Sequence, residues 1–185
     1  MPNLGTERAI AFLDEAEIED LPSCLKGLGC TQVIVRSHTI GKEFDFHCSY
    51  PLYIKNELSK KFALKYFIIL PARFDITENH QKKTGNMLII EANSLIENER
   101  FWEAHNVLEV IWRKENGKLK DYIRGIILIV SSMAKYQMGS SSVARVMYNR
   151  ARLLLADLTM AKPILDQIPI NFNYPVKFKI PLLSV

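Results

Sequence analysis

The run Phe101-Trp102-Glu103-Ala104-His105-Asn106-Val107-Leu108-Glu109-Val110-Ile111-Trp112 sets four polar side chains inside an apolar, aromatic-rich segment. Polar groups are costly to bury unless they are hydrogen-bonded, so these four have a specific task. On a helix each residue turns by about 100°, which leaves His105 and Glu109 about 40° apart on one face. Trp112 falls near the same line, and Trp102 about 60° to its side. Glu103 points almost opposite His105, toward Asn106 and Val107. A His and a carboxylate one turn apart can offer an imidazole and an oxygen to one metal ion. Zinc or iron would then need a further ligand from another helix, and Asp121 and His80 are the candidates. Asn106 fills the place that a general base takes in an HExxH helix. Without metal, the pair could work as acid and base. Glu103, His105 and Glu109 are therefore the candidate catalytic residues.

The same residues also make a structural network. Glu109 would accept from His105, and Glu103 from an arginine of a neighbouring helix, such as Arg124 or Arg150. Buried indole N–H groups would need acceptors of their own. Such a network fixes helix register, and it uses the same residue types as an active site. This reading carries more weight, and with it no bound metal or cofactor is expected. The stripe Phe101, Trp102, Trp112 and Tyr122 reads as core rather than as a ligand cage. Arg145, Arg150 and Arg152 lie close together in sequence and read first as a solvated helix face, then as a phosphate-binding one. With Trp102, Trp112 and Arg124 they are the candidate binding residues. No glycine-rich phosphate loop or nucleophile elbow is present.

Two kinds of segment hold these residues. Up to about Pro71 the chain alternates short strands and helices. Arg8–Leu13 is apolar; Leu21–Leu28 suits a short helix capped by Asp20 and ended by Gly27 and Gly29. Thr31–Arg36 is β-branched, and Glu43–Cys48 alternates like a half-buried strand. Gly41 and Lys42 suggest the turn between these two. Pro51 opens a helix to about Phe62, and Tyr66–Leu70 is a strand stopped by Pro71. The order β-α-β-β-α-β is the ferredoxin-like pattern.

From about Thr77 the period lengthens to between three and four. It gives a helix around Met87–Ile96 capped by Thr77 or Thr84, then helices at Arg100–Lys114, Leu119–Met138 and Val143–Leu158. Pro163, Pro169, Pro175 and Pro181 exclude a continuous helix at the end. There, Val176–Ile180 alternates like an edge strand, and so apolar a tail should pack on the first domain or on a second copy of the chain. The fold class expected is α+β: a small α+β domain at 1–76, a helical bundle at 77–162 and an extended tail at 163–185.

The helical half resembles the family called domain of unknown function 309. That family shows an aromatic pair followed by Glu-Ala-His-Glu, then a Glu and a Trp on the same helix. Phe101, Trp102, Glu103, Ala104, His105, Glu109 and Trp112 stand in those places, and Gly125 and Gly139 resemble the glycines of the next helices. The likeness spans about residues 84–158. Asn106 replaces the family's second Glu, Leu128 a frequent Gln, and Lys135 an expected His or aromatic, so part of any family site is missing here.

The charge is uneven. Residues 1–80 carry 9 Lys and Arg against 11 Asp and Glu, while 81–185 carry 15 against 9. Cys24, Cys30 and Cys48 show neither zinc-module nor disulfide-framework spacing, even with His38 and His47 nearby. No segment has the ~20 apolar residues of a membrane span, and the N-terminus lacks the look of a signal peptide. The chain reads as soluble and cytoplasmic. The leading function expected is a non-enzymatic interaction or scaffold protein, forming a homodimer and binding a protein partner. A metal-dependent or acid–base enzyme at His105 and Glu109 is the alternative, and a nucleic-acid binder a second one.

Overall fold

A computed structural model describes residues 6–14, 20–70 and 83–183. They fall into two compact units, one on either side of the segment 71–82. The expected boundary at 76/77 lies outside the described residues.

The first unit has the order β1 (Glu7–Leu13), α1 (Leu21–Gly27), β2 (Thr31–His38), β3 (Gly41–Cys48), α2 (Pro51–Lys61), β4 (Leu64–Leu70). The strands form one antiparallel sheet in the order β2-β3-β1-β4. Side chains alternate across a strand. Ala9, Ala11, Leu13, Phe44, Phe46 and Cys48 therefore share one face and pack with Leu21, Leu25, Ile54 and Leu58 of α1 and α2. Asp20 makes no side-chain cap to α1. The turn between β2 and β3 is at Thr39–Ile40, and Gly41 already belongs to the strand. A Cβ on Gly41 would lie 2.4 Å from the Leu13 carbonyl oxygen, so glycine is required there by close backbone approach rather than by a turn.

The second unit is helical: α3 (Gly85–Glu97), α4 (Phe101–Lys114), α5 (Gly117–Gln137), α6 (Ser141–Ala156), then a 3₁₀ turn at Thr159–Ala161 and the short α7 (Lys162–Leu165). Thr84 caps α3, its hydroxyl accepting from the Met87 N–H at 3.3 Å. α3 packs on α4, α4 on α5 and α5 on α6. Ile89, Leu108, Ile111, Ile126, Val130, Tyr148 and Leu155 lie in one continuous core. Gly125 lets α5 and α6 approach closely: a Cβ there would meet Leu155 Cδ2 at 2.4 Å. No described helix is long and apolar enough to cross a membrane.

The tail corrects two expectations. Val176–Ile180 is not a strand, although its alternation is real: Val176, Phe178 and Ile180 are buried and Lys177 and Lys179 exposed. The described elements of its own unit are helices, and amide side chains supply the hydrogen bonds instead. Asn93 donates to the Ile180 carbonyl at 2.9 Å and accepts from its N–H at 2.8 Å. Asn86 does the same to Leu183 at 3.2 and 2.7 Å. Gln167 does so to Lys179 at 3.1 and 2.7 Å. Nor does the tail need the first unit or a second copy as its support. Ile168, Val176, Phe178 and Ile180 join the core of the helical unit itself.

Candidate functional site

The aromatic-acidic motif forms α4, and the helix sorts its residues into two faces. Phe101, Ala104, Val107, Leu108 and Ile111 go inward. The four polar residues do not enter the core with them. The side chains of Glu103, His105 and Glu109 are 12, 19 and 34 % exposed. Trp102 is 40 % exposed and lies flat against His105, ring centroids 5.5 Å apart and planes 8° from parallel. Its expected place in the core is therefore corrected, while Phe101 and Tyr122 are buried as expected.

His105 Nε2 stands 3.8 Å from Glu109 Oε1, an ion-pair distance too long for a hydrogen bond, and its Nδ1 is 3.2 Å from Asn106 Oδ1. Glu109 takes its hydrogen bond from Arg113, one turn on, at 2.9 Å. Glu103 accepts from Arg100 at 3.0 Å, so its partner is on the turn just before the helix and not on a neighbouring helix as Arg124 or Arg150 would be. Local i,i+3 and i,i+4 pairs satisfied both acids before any distant arginine was needed. Trp112 is half-buried with the Lys120 ammonium 4.6 Å from its ring centre. Its indole N–H has no acceptor among the described residues.

The remaining candidates are scattered. Arg124 is exposed on α5, and Arg145 and Arg150 are exposed on α6, about 140° apart by helical geometry. Arg152 is committed to the tail, donating to the Pro169 carbonyl at 2.9 Å and reaching that of Ile168 at 3.3 Å. The three do not make one basic face. Asp121 is exposed, and His80 lies outside the described residues. Among the described residues no group of three His, Cys, Asp or Glu side chains is placed to hold a metal.

Two sites went unread in the sequence. The first is on the sheet face opposite α1 and α2. Arg8 forks onto Asp45 (Nε–Oδ1 2.7 Å, Nη2–Oδ2 2.5 Å), and Arg36 bridges Glu43 at 2.6 Å and Asp45 at 2.8 Å. Tyr66 donates to Glu43 at 3.3 Å, and Phe12 stacks on Tyr66. Arg36, Glu43 and Asp45 are almost fully buried. Burial alone would raise the Asp45 carboxyl, but hydrogen bonds from Arg8 and Arg36 outweigh it and hold the group below its ordinary range. Burial alone would likewise lower the Arg36 guanidinium, and Glu43 and Asp45 raise it instead. The polar positions of Glu43–Cys48 had suggested a solvated face. Both faces of β3 are in fact enclosed. The signal available was the charge pattern: Arg36 is directly opposite Glu43 in the ladder, and acid opposite base is the favourable cross-strand arrangement.

The second joins the ends of three elements. Glu99, with φ 55, takes the left-handed position that ends α3, a place usually given to glycine. Its carboxylate accepts from the Tyr174 hydroxyl at 2.7 Å, and Gln137 of α5 donates both to the Glu99 carbonyl at 2.9 Å and to Tyr174 at 3.1 Å. Burial, then the Glu99 carboxylate, push the Tyr174 phenol above its ordinary range, so it remains the donor. Beside this network a groove of about 440 Å³ runs between α3 and the tail, lined by Ile96, Glu99, Phe101 and Phe178. A second of about 660 Å³ is lined by Ile90, Glu97, Lys179 and Leu182. Neither includes His105 or Glu109.

The family model described as Domain of unknown function (DUF309) matches residues 89–147, from within α3 to the first part of α6. No curated protein and no solved structure matches the chain.

Proposed function

Starting from a helical segment that matches a domain of unknown function, we propose that the chain is a non-enzymatic interaction protein whose contact surface is the outer face of α4. The observation that carries this reading is Trp102. An indole 40 % exposed and held flat against His105 is a rigid aromatic plate, the side-chain type that concentrates binding energy at protein interfaces. The acids of α4 are already paired, Glu103 with Arg100 and Glu109 with Arg113. A photo-crosslinking phenylalanine analogue at position 102, compared with one at the more exposed Leu153 of α6, tests the proposal in the cell. A discrete protein adduct from position 102 alone supports it. No adduct, or the same adducts from both positions, refutes it.

One observation favours the acid–base enzyme instead: His105 and Glu109 stand 3.8 Å apart at a solvent-reachable place. For the first unit, the sheet order β2-β3-β1-β4 supports the ferredoxin-like reading. A homodimer now finds its support in the exposed Met87, Ile90 and Leu182 beside the tail rather than in the tail's buried residues. A cytoplasmic setting is supported by three cysteines that are free thiols. Nucleic acid draws little support from arginines that point apart.

A further inference from the structure

The last pair of the β2–β3 ladder on the open end of the hairpin is Thr31 with His47. Cys30 is the residue just before β2, and one step beyond that pair, past the register shift between Thr31 and Ile34, it falls opposite Cys48. Residues facing each other across an antiparallel pair have Cα atoms about 4.5–5.5 Å apart. A disulfide needs about 4.4–6.8 Å. Both side chains turn into the same core, Cys30 4 % and Cys48 2 % exposed, and lie close enough to perturb each other's ionisation.

We propose that Cys30 and Cys48 are a redox-modification site, a dithiol that small peroxides convert reversibly to an intramolecular disulfide closing the open end of the β2–β3 hairpin. The two thiols are not equivalent. Burial pushes the Cys30 thiol up to about 12, with Cys48 adding to the shift. Burial raises Cys48 too, and the Tyr50 backbone N–H and the Cys30 thiol offset only part of that rise. Of the pair, Cys48 alone has such an offset, and it is assigned as the attacking sulfur. Its thiolate takes the distal oxygen of the peroxide, the O–O bond breaks, and hydroxide leaves with a sulfenic acid behind. That hydroxide takes the Cys30 proton, the Cys30 thiolate attacks the Cys48 sulfur, and a second hydroxide leaves, taking up the proton that Cys48 first released. In sum, two thiols and one hydrogen peroxide give one disulfide and two waters. Burial makes this a slow site for bulky oxidants and a selective one for small ones. Cys24, half-buried on α1, is the more exposed thiol and the natural competitor.

The test uses the reduced full chain, oxidised with a slight excess of hydrogen peroxide. Free thiols are then alkylated, and peptides are mapped without reduction. The expected product carries a Cys30–Cys48 link and an alkylated Cys24, and dithiothreitol restores all three thiols. The Cys24→Ser chain, which keeps the pair intact, should form the same link at the same rate. Cys30→Ser should leave Cys48 as a sulfenic acid that dimedone captures. A link through Cys24, a link between two chains, or three alkylatable thiols after peroxide treatment would overturn the proposal. If Cys30→Ser does not fold, the Cys24→Ser chain decides alone.

Discussion

Replacing Asn93 by alanine removes a side chain that serves one residue of the tail twice. Its amide donates to the Ile180 carbonyl and accepts from the Ile180 N–H, and Asn93 is only 6 % exposed. Alanine leaves both backbone groups without partners. A buried group so orphaned costs about 1–3 kcal/mol, and the exposed neighbours Lys179 and Pro181 let water relieve part of it, so Asn93→Ala should cost about 2–4 kcal/mol in all. Asn86 makes the same pair of bonds to Leu183, where both partners are only half-buried, so Asn86→Ala should cost about 0.5–1.5 kcal/mol. Urea unfolding of the two variants gives the difference, and amide exchange gives its location: the Ile180 N–H should exchange much faster in Asn93→Ala. If both variants lose the same small amount and the Ile180 amide keeps its protection, side-chain amides do not hold the tail.

Three further outcomes follow from the packing and the charges. Gly125→Ala should destabilise by about 1–3 kcal/mol through overpacking, since its new methyl meets Leu155, and in a Leu155→Ala background the same change should cost less, read as a coupling in a double-mutant cycle by thermal unfolding. Asp45 is held below its ordinary pKa, so its contribution is complete above the unfolded value of about 3.9 and is lost as pH falls through the lower folded value. Asp45→Asn should therefore lower stability at neutral pH and flatten the acid limb of the stability curve, and an unchanged acid limb would show that Asp45 is not the group responsible. Glu109→Ala should change stability by less than about 0.5 kcal/mol, because its pairs are surface pairs, and a loss above 2 kcal/mol in chemical denaturation would mean that Glu109 has a buried partner.

The sequence alone determined what depends on local period. Short strands and helices alternating up to about Pro71, and a period between three and four from about Thr77, gave the six elements of the sheet unit and the four main helices in their observed order. Pro163, Pro169, Pro175 and Pro181 excluded a continuous terminal helix for the same local reason, the fixed φ of proline. Residues 101–112 marked a distinctive helix because their types are costly to bury, yet the pattern could not say which of them stay outside. Trp102 is hydrophobic enough to be core, and only the packing of α4 against α3 and α5 turned it outward against His105. Tertiary structure also decided every long-range pairing. Arg8 meets Asp45 across 37 residues and Asn93 meets Ile180 across 87, and no periodicity links such positions. Strand order and register bring the charges of β1, β2 and β3 onto one face, just as the packing of the helical unit hands the tail's backbone to Asn86, Asn93 and Gln167. Hydrogen-bonding capacity is written in each residue, but its partner is whichever group the fold leaves unsatisfied within reach.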